Sequence, residues 1–234
     1  MSDNAAPGGE NKPQAAADIS VKVYPVKPEN QRNHLLAYAN VTIGSSFAVT
    51  NIRVMDGKNG PFVAMPSRMG KDKQYHDTCF PTTAQMRENL NAAVMDSFQS
   101  GQERTVAGAV KSGAEMSVDV KVYPVQKEKD KSSLLAFANV TVGGCFAVTD
   151  VRVMNGKNGP FVAMPSKKGR DGKFHDTCFP TTAAMREKLN TAVMGEYQRV
   201  TQKESVRGAI QSGQREAAAR PAPEAARQRA AGAR

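Results

Sequence analysis

Apolar residues alternate with polar ones through Ile19, Val21 and Val23, and again through Leu35, Ala37, Ala39, Val41 and Ile43. A period of two puts one side of an extended chain into a core and the other into solvent, which predicts two half-buried β-strands. A third strand starts in phase at Phe47 and Val49 and resumes out of phase at Ile52 and Val54, so a bulge or bend is expected at Thr50 and Asn51. Asp56-Gly57 supplies a positive-φ turn and Asn59-Gly60-Pro61 extends it, before residues 62–65 return as a strand. That is a hairpin, because a phosphate-cradling loop needs a helix N-terminus after its glycines and here a strand follows. Residues 75–80 read as a last short strand stopped by Pro81, with Thr82 or Thr83 placed to cap a helix. In that helix Met86, Leu90, Val94 and Phe98 recur every four residues, an apolar stripe that packs on the sheet.

The same pattern returns at an offset of 99 residues: Val118, Val120, Val122; Leu134 to Val142; a phase break at Thr149 and Asp150; the stripe Met185, Leu189, Val193, Tyr197. Between residues 47–67 and 146–166, 18 of 21 positions are identical, so the chain is a tandem duplication. The expected class is α+β, with two domains that are each a small antiparallel sheet followed by a C-terminal helix. The boundaries expected are a disordered tail at 1–18, a first domain at 19–99, a linker with a short helix at 100–117, a second domain at 118–213 and a basic disordered tail at 214–234. A weaker echo, residues 106–113 against 206–213, reads as a short terminal helix ending at glycine in each copy. A unit of about 80 residues buries only a modest core, so pairing of the two copies inside one chain, as a pseudo-dimer, is favoured.

Net charge is +10, and its placement sharpens the picture. Residues 199–234 carry eight Lys and Arg against three Glu, so half the excess lies in the tail, while the repeats are themselves basic. Such a balance attracts polyanions, nucleic acid above all. Cys79, Cys145 and Cys178 are too sparse for a disulfide framework, and Cys145 falls opposite Ser46, so a reducing cytoplasm is the expected location. The N-terminal residues lack a basic-then-apolar export pattern and no run is long enough to span a bilayer, so no membrane insertion is expected.

His76 and Cys79, with their twins His175 and Cys178, invite a metal reading. On a strand, however, residues three apart point to opposite faces, so four ligands could meet only if the pseudo-axis passed between the copies. Tyr38, Tyr75 and Phe98 face Phe137, Phe174 and Tyr197 across the repeat, so the phenol hydroxyl is interchangeable at those three positions, and no Ser, His and carboxylate set recurs. No enzyme activity, cofactor, metal or small-molecule substrate is expected.

The run from Phe47 through Asn51-Ile-Arg-Val-Met-Asp-Gly-Lys-Asn-Gly-Pro-Phe-Val-Ala-Met-Pro-Ser to Arg68, then a Gly and Lys segment, Asp77-Thr-Cys and Pro81, resembles the stage V sporulation protein G (SpoVG) family, and the second repeat resembles it equally. The resemblance implies a small antiparallel sheet with a C-terminal helix, a dimer built through strands, and DNA and RNA binding in bacterial regulation of septation and sporulation. It associates nucleic acid with basic residues in the turn after Met-Pro-Ser and near the helix. The matching positions are Arg68, Lys71 and Lys73 in one copy and Lys167, Lys168, Arg170 and Lys173 in the other, with Arg53, Arg152, Arg87 and Arg186 as outer supports. Phe80 and Phe179 depart from the family by standing where many relatives carry His before the proline. Expected partners are DNA, RNA or both, with further homo-oligomerisation left open. A protein-interaction adaptor in septation, recruiting a partner strand at a sheet edge, is the alternative.

Overall fold

A computed structural model of the chain describes residues 16–30, 34–111, 116–125, 133–169 and 171–219. The first repeat runs β1 (Ala16–Pro25), a 3-10 turn (Pro28–Asn30), β2 (Leu35–Ile43), β3 (Phe47–Gly57), β4 (Gly60–Ala64), β5 (Ser67–Met69), β6 (Tyr75–Asp77), β7 (Cys79–Pro81) and α1 (Ala84–Ser100). A further strand, β8 (Arg104–Lys111), precedes the second repeat: β9 (Val118–Pro124), β10 (Leu134–Val142), β11 (Phe146–Gly156), β12 (Gly159–Ala163), β13 (Ser166–Lys168), β14 (Phe174–Asp176), β15 (Cys178–Pro180) and α2 (Ala183–Ala219). Every sheet ladder is antiparallel. The expected α+β class is what the molecule shows.

The phase break is a true bulge. Ala39 pairs with Ile52 and Val41 with Val49, so Asn40 of β2 faces both Thr50 and Asn51 of β3, and Asn51 takes the left-handed conformation at φ 62. The extra residue is what lets Phe47, Val49, Ile52 and Val54 all point inward, each fully buried. Asp150 does the same in the second repeat at φ 60, an angle that Asn and Asp tolerate better than other side chains. At the hairpin tip the positive φ falls on Gly60 and Gly159, with the turn at Lys58-Asn59 and Lys157-Asn158, rather than on Gly57 and Gly156.

The copies pair by exchanging their last strands. β7 of the first repeat lies on β11 of the second (Cys79 with Val148, Pro81 with Phe146), and β15 lies on β3 (Cys178 with Val49, Pro180 with Phe47). Each long strand is thus flanked on one edge by its own hairpin return beyond the bulge and by a foreign strand before it. Backbone bonds bracket the exchange: Thr50 N–H to Thr177 O at 2.7 Å, Thr149 N–H to Thr78 O at 2.8 Å, Thr82 N–H to Cys145 O and Thr181 N–H to Ser46 O, both at 2.8 Å. One continuous core results, running from Ile19 to Val193 through both sheets and both helix stripes. Both repeats accordingly fall in one compact unit, Met1–Tyr197, with Gln198–Arg234 forming a second.

Thr83 caps α1 by accepting the Met86 N–H at 3.2 Å, and Thr182 does the same for Met185. Two expectations fail after the helices. The echo at 106–113 predicts a short helix; residues 104–111 instead form β8, which pairs with β1 and gives the first sheet six strands against five in the second. The cause is local: Gly101 closes α1 in the left-handed conformation at φ 70, its N–H on Ser97 O, and Thr105, Val106 and Val110 favour an extended chain. The matching position 200 is valine, nothing stops the helix, and α2 continues for 37 residues, through Gly213, to Ala219. The expected disordered tail at 214–234 is therefore helical in its first residues, and 220–234 lie outside the described residues, as do 1–15 of the expected N-terminal tail. Among the described residues no helix is long and apolar enough to cross a membrane.

Candidate nucleic-acid interface

The cationic turns are the loops of two small hairpins, β5–β6 and β13–β14, which belong to neither main sheet. Each is held by the same staple. In the first, Gly70 N–H donates to Gln74 O at 2.8 Å, the Asp72 carboxylate accepts the Gln74 N–H at 3.1 Å, and its other oxygen meets His76 Nε2 at 2.8 Å. In the second, Asp171 takes the Lys173 N–H at 3.1 Å and meets His175 Nε2 at 2.9 Å. The Gln74 amide and then His76 hold the Asp72 carboxyl below its usual range, as the Lys173 amide and His175 do for Asp171. A Cβ on Gly70 would stand 2.5 Å from Asp72 Oδ1, so the staple requires glycine there. The hairpin is anchored at its root by Thr78, whose N–H and hydroxyl both reach Pro66 O, at 2.7 and 3.0 Å, and Thr177 repeats this on Pro165 O. The histidines are thus turn staples. Among the described residues no group of three or more His, Cys, Asp or Glu is arranged to hold a metal.

Strand exchange brings the two hairpin roots to one place. Asn51, Arg53, Arg68, Tyr75, Asp150 and Lys167 line a single cleft of about 290 Å³, so side chains of both repeats face each other across the pseudo-axis. The two halves differ in charge. Arg68 Nη1 crosses the repeat boundary to Asp150 Oδ2 at 2.6 Å, and Arg152 Nη2 meets the same oxygen at 2.9 Å. Partial burial pushes the Asp150 carboxyl up, but the Arg152 and Arg68 guanidiniums outweigh it and leave the group below the usual carboxylate range. At the equivalent places the other half holds Asn51, neutral, with Lys167 and Arg53; among the described residues Arg53 Nη2 donates only to Ser67 Oγ, at 3.3 Å.

The remaining basic residues are spread more widely. Lys71, Lys73, Lys168 and Lys173 are exposed on the hairpins, and Arg170 lies outside the described residues. Lys71 borders a second cleft, of about 380 Å³, between the first hairpin and the bulge of β11. Arg87 and Arg186 each donate Nη2 to a carbonyl at the end of an exchanged strand, Pro81 O and Pro180 O, at 3.3 Å. Sequence reasoning missed two features of the site. Tyr75 and Phe174 stand 69% and 71% exposed on the hairpins, beside the cations, and Asp150 is a carboxylate that neutralises part of the cluster. The signal for the second was a single Asn-to-Asp difference in an otherwise near-identical run.

Cys79 and Cys178 meet where the exchanged strands cross the pseudo-axis, both fully buried. Burial, then the adjoining Cys79 thiol, push the Cys178 thiol well above its usual range, so Cys178 is a weak nucleophile and the contact between the two thiols is one of packing.

Both repeats match one family. The SpoVG family profile matches residues 17–100 and again 116–199. Each curated relative matches about one repeat. A septation protein SpoVG of Anaeromyxobacter sp. strain K is 38% identical over 85 residues, 36% of this chain and 80% of its own length. One from Brevibacillus brevis is 49% identical over 69 residues, 30% of this chain and 73% of its own. A third, from Clostridium kluyveri, is 40% identical over 88 residues, 38% of this chain and 88% of its own. With two matched units joined by reciprocal strand exchange, the chain belongs to the SpoVG family as a tandem-repeat member.

Proposed function

We propose that the chain is a non-enzymatic nucleic-acid-binding regulator, acting in septation as the names of its relatives suggest. The observation that carries this reading is the meeting of both cationic hairpin roots at one cleft, with exposed aromatic rings beside them. Guanidinium and ammonium groups bind phosphates through charge-assisted hydrogen bonds, and an exposed ring offers a face on which an unpaired base stacks. Lys71, Lys73, Lys168 and Lys173 add exposed cations on the two hairpins, Arg170 belongs to the same basic run in sequence, and Arg87 and Arg186 at the helix starts are its outer supports. The cations Arg199, Lys203 and Arg207, spaced four apart on α2, add a sequence-independent attraction for polyanions.

The test is fluorescence anisotropy with labelled DNA and RNA oligonucleotides at two salt concentrations. Replacing Lys167, Lys168, Arg170 and Lys173 together by Ala should weaken binding and reduce the slope of log K against log salt by roughly three to four, about 0.9 for each duplex phosphate no longer neutralised. An unchanged slope in that variant, together with abolished binding on deleting residues 214–234, moves the interface to the tail. A second reading has its own observation. Among the described residues β9 pairs only with β10, whereas β1 is covered by β8, so one sheet edge is open to an added strand. No retention of either nucleic acid would favour this adaptor role in a cytoplasmic septation complex.

A further inference from the structure

Duplication gives the central cleft two halves, and one substitution has made them unequal. In the closed half Asp150 takes both Arg68 and Arg152, at 2.6 and 2.9 Å. In the other half its counterpart is Asn51, held in the same left-handed bulge conformation, so the side chain occupies the same place without charge. The consequences are visible in the arginines. Arg152 is turned onto Asp150 and does not line the cleft, while Arg53 does and spends one weak bond on Ser67. Among the described residues neither Arg53 nor Lys167 has a carboxylate partner, and Asp150 is the only acidic side chain lining the cleft.

We propose that the cleft is a one-sided phosphate seat: Arg53, Lys167 and the Asn51 side-chain amide hold a single phosphate of a bound nucleic-acid strand, and Asp150 withdraws Arg68 and Arg152 from that task in the other half. This rests on the nucleic-acid reading above and adds a direction to it. A symmetric cleft would accept a strand in either sense across the pseudo-axis, whereas a seat on one side fixes which end of the site the phosphate enters. The chemistry is that of a tetrahedral oxyanion, which guanidinium, ammonium and amide N–H groups all serve as donors, and which a carboxylate at position 51 would repel.

The experiment uses the full chain. Asn51→Asp should recreate the closed arrangement around Arg53 and Lys167, weakening oligonucleotide binding roughly tenfold and lowering the salt slope by about one to two. Asp150→Asn should not weaken binding, and the double variant Asn51→Asp/Asp150→Asn, unchanged in net charge, should return close to the parent affinity by moving the seat to the other half. Asn59→Asp, the same charge change on the exposed hairpin tip, controls for long-range attraction and should cost far less. Lys167→Gln, an exposed position that the fold does not need, supplies an independent reduction in affinity. Equal effects of Asn51→Asp and Asn59→Asp in a protein that binds the oligonucleotide would overturn the one-sided seat and leave the nucleic-acid reading standing. Titration with inorganic phosphate, followed by the Arg53 Nε–H signal in NMR, separates the other failures. A shift without any oligonucleotide binding keeps the seat for a small phosphate ligand and sinks the strand; no shift with either ligand sinks the seat as well.

Discussion

Cutting the chain between the repeats should not yield two folded monomers. A fragment of residues 16–111 keeps β1 to β8 and α1, but it loses β15 from the edge of β3 and leaves its own β7 without β11. Four backbone bonds bracket the two exchanged ladders, and at about 0.5–1.5 kcal/mol each they contribute roughly 2–6 kcal/mol in the intact chain. Val49, fully buried on β3 beside β15, adds about 1.5–3 kcal/mol. Losses of this size match the roughly 5–15 kcal/mol that holds a small domain together. The fragment has one way to recover them, which is to pair with a second copy and place each β7 on the other's β3, where Cys79 replaces Cys178 opposite Val49. Sedimentation equilibrium should therefore show the intact chain as a 25.1 kDa monomer and the fragment at twice its own mass. Dilution should unfold the fragment and leave the intact chain unaffected, since in a covalently joined pair the exchange is intramolecular. A fragment that stays monomeric and unfolds cooperatively at the same denaturant concentration as the whole would refute the claim that exchange holds the fold.

Three further outcomes follow from particular residues. Gly101→Val should cost about 1–2 kcal/mol in urea unfolding, because Gly101 ends α1 in a left-handed conformation that a β-branched side chain resists, and Val200→Gly should lower helical circular dichroism by cutting α2 short. Native-state titration with a thiol reagent should modify Cys145 first, since it is only partly buried, and reach Cys79 and Cys178 at the unfolding rate; fast reaction of all three thiols would remove the buried pair from the pseudo-axis. Because the Asp150 carboxyl is held below its ordinary 3.8 in the fold, its pairing with Arg152 and Arg68 contributes in full above that value and is lost as pH falls through the lower folded value. The melting-temperature gap between the parent and Asp150→Asn should thus be constant near neutrality and close below about pH 4; a gap that widened in acid would reverse the assignment.

What could be read from residues alone was whatever the two copies share. Alternation located the strands, the phase slip at Thr50 and Asn51 located the bulge, and four-residue recurrence located the helix stripe, because each of those patterns is written in local spacing. The strand exchange was not written there. Residues 75–80 carry a single extended pattern, and nothing in it says that β6 turns back on its own hairpin while β7, past Thr78, joins the other repeat. The fate of residues 106–113 is hidden for a related reason: the echo at 206–213 points to one structure for both, and the deciding residue, glycine at 101 against valine at 200, lies outside the echo. The His and Cys pair was equally divided by topology, the imidazole to the exposed hairpin and the thiol to the buried crossing, which separates the two would-be ligands of each copy.

The differences between the copies carry a functional argument that the similarities cannot. A homodimer built from one repeat must present the same residue on both sides of its axis, so a carboxylate that closes one half closes the other. Joining two repeats in one chain lifts that constraint: Asn51 and Asp150 can differ, β8 can cover one sheet edge while β9, among the described residues, pairs on one side alone, and one helix can stop at glycine while the other runs on with a basic face. All three differences sit at the pseudo-axis or at sheet and helix ends, where a single substitution changes local charge or chain direction without disturbing the shared core. The exchanged strands, the bulge and the buried thiol pair are the parts that need both copies to match, and there the two repeats hold equivalent conformations and register. The molecule is therefore best understood as a symmetric frame carrying an asymmetric surface, and a ligand that binds across its axis meets two different ends.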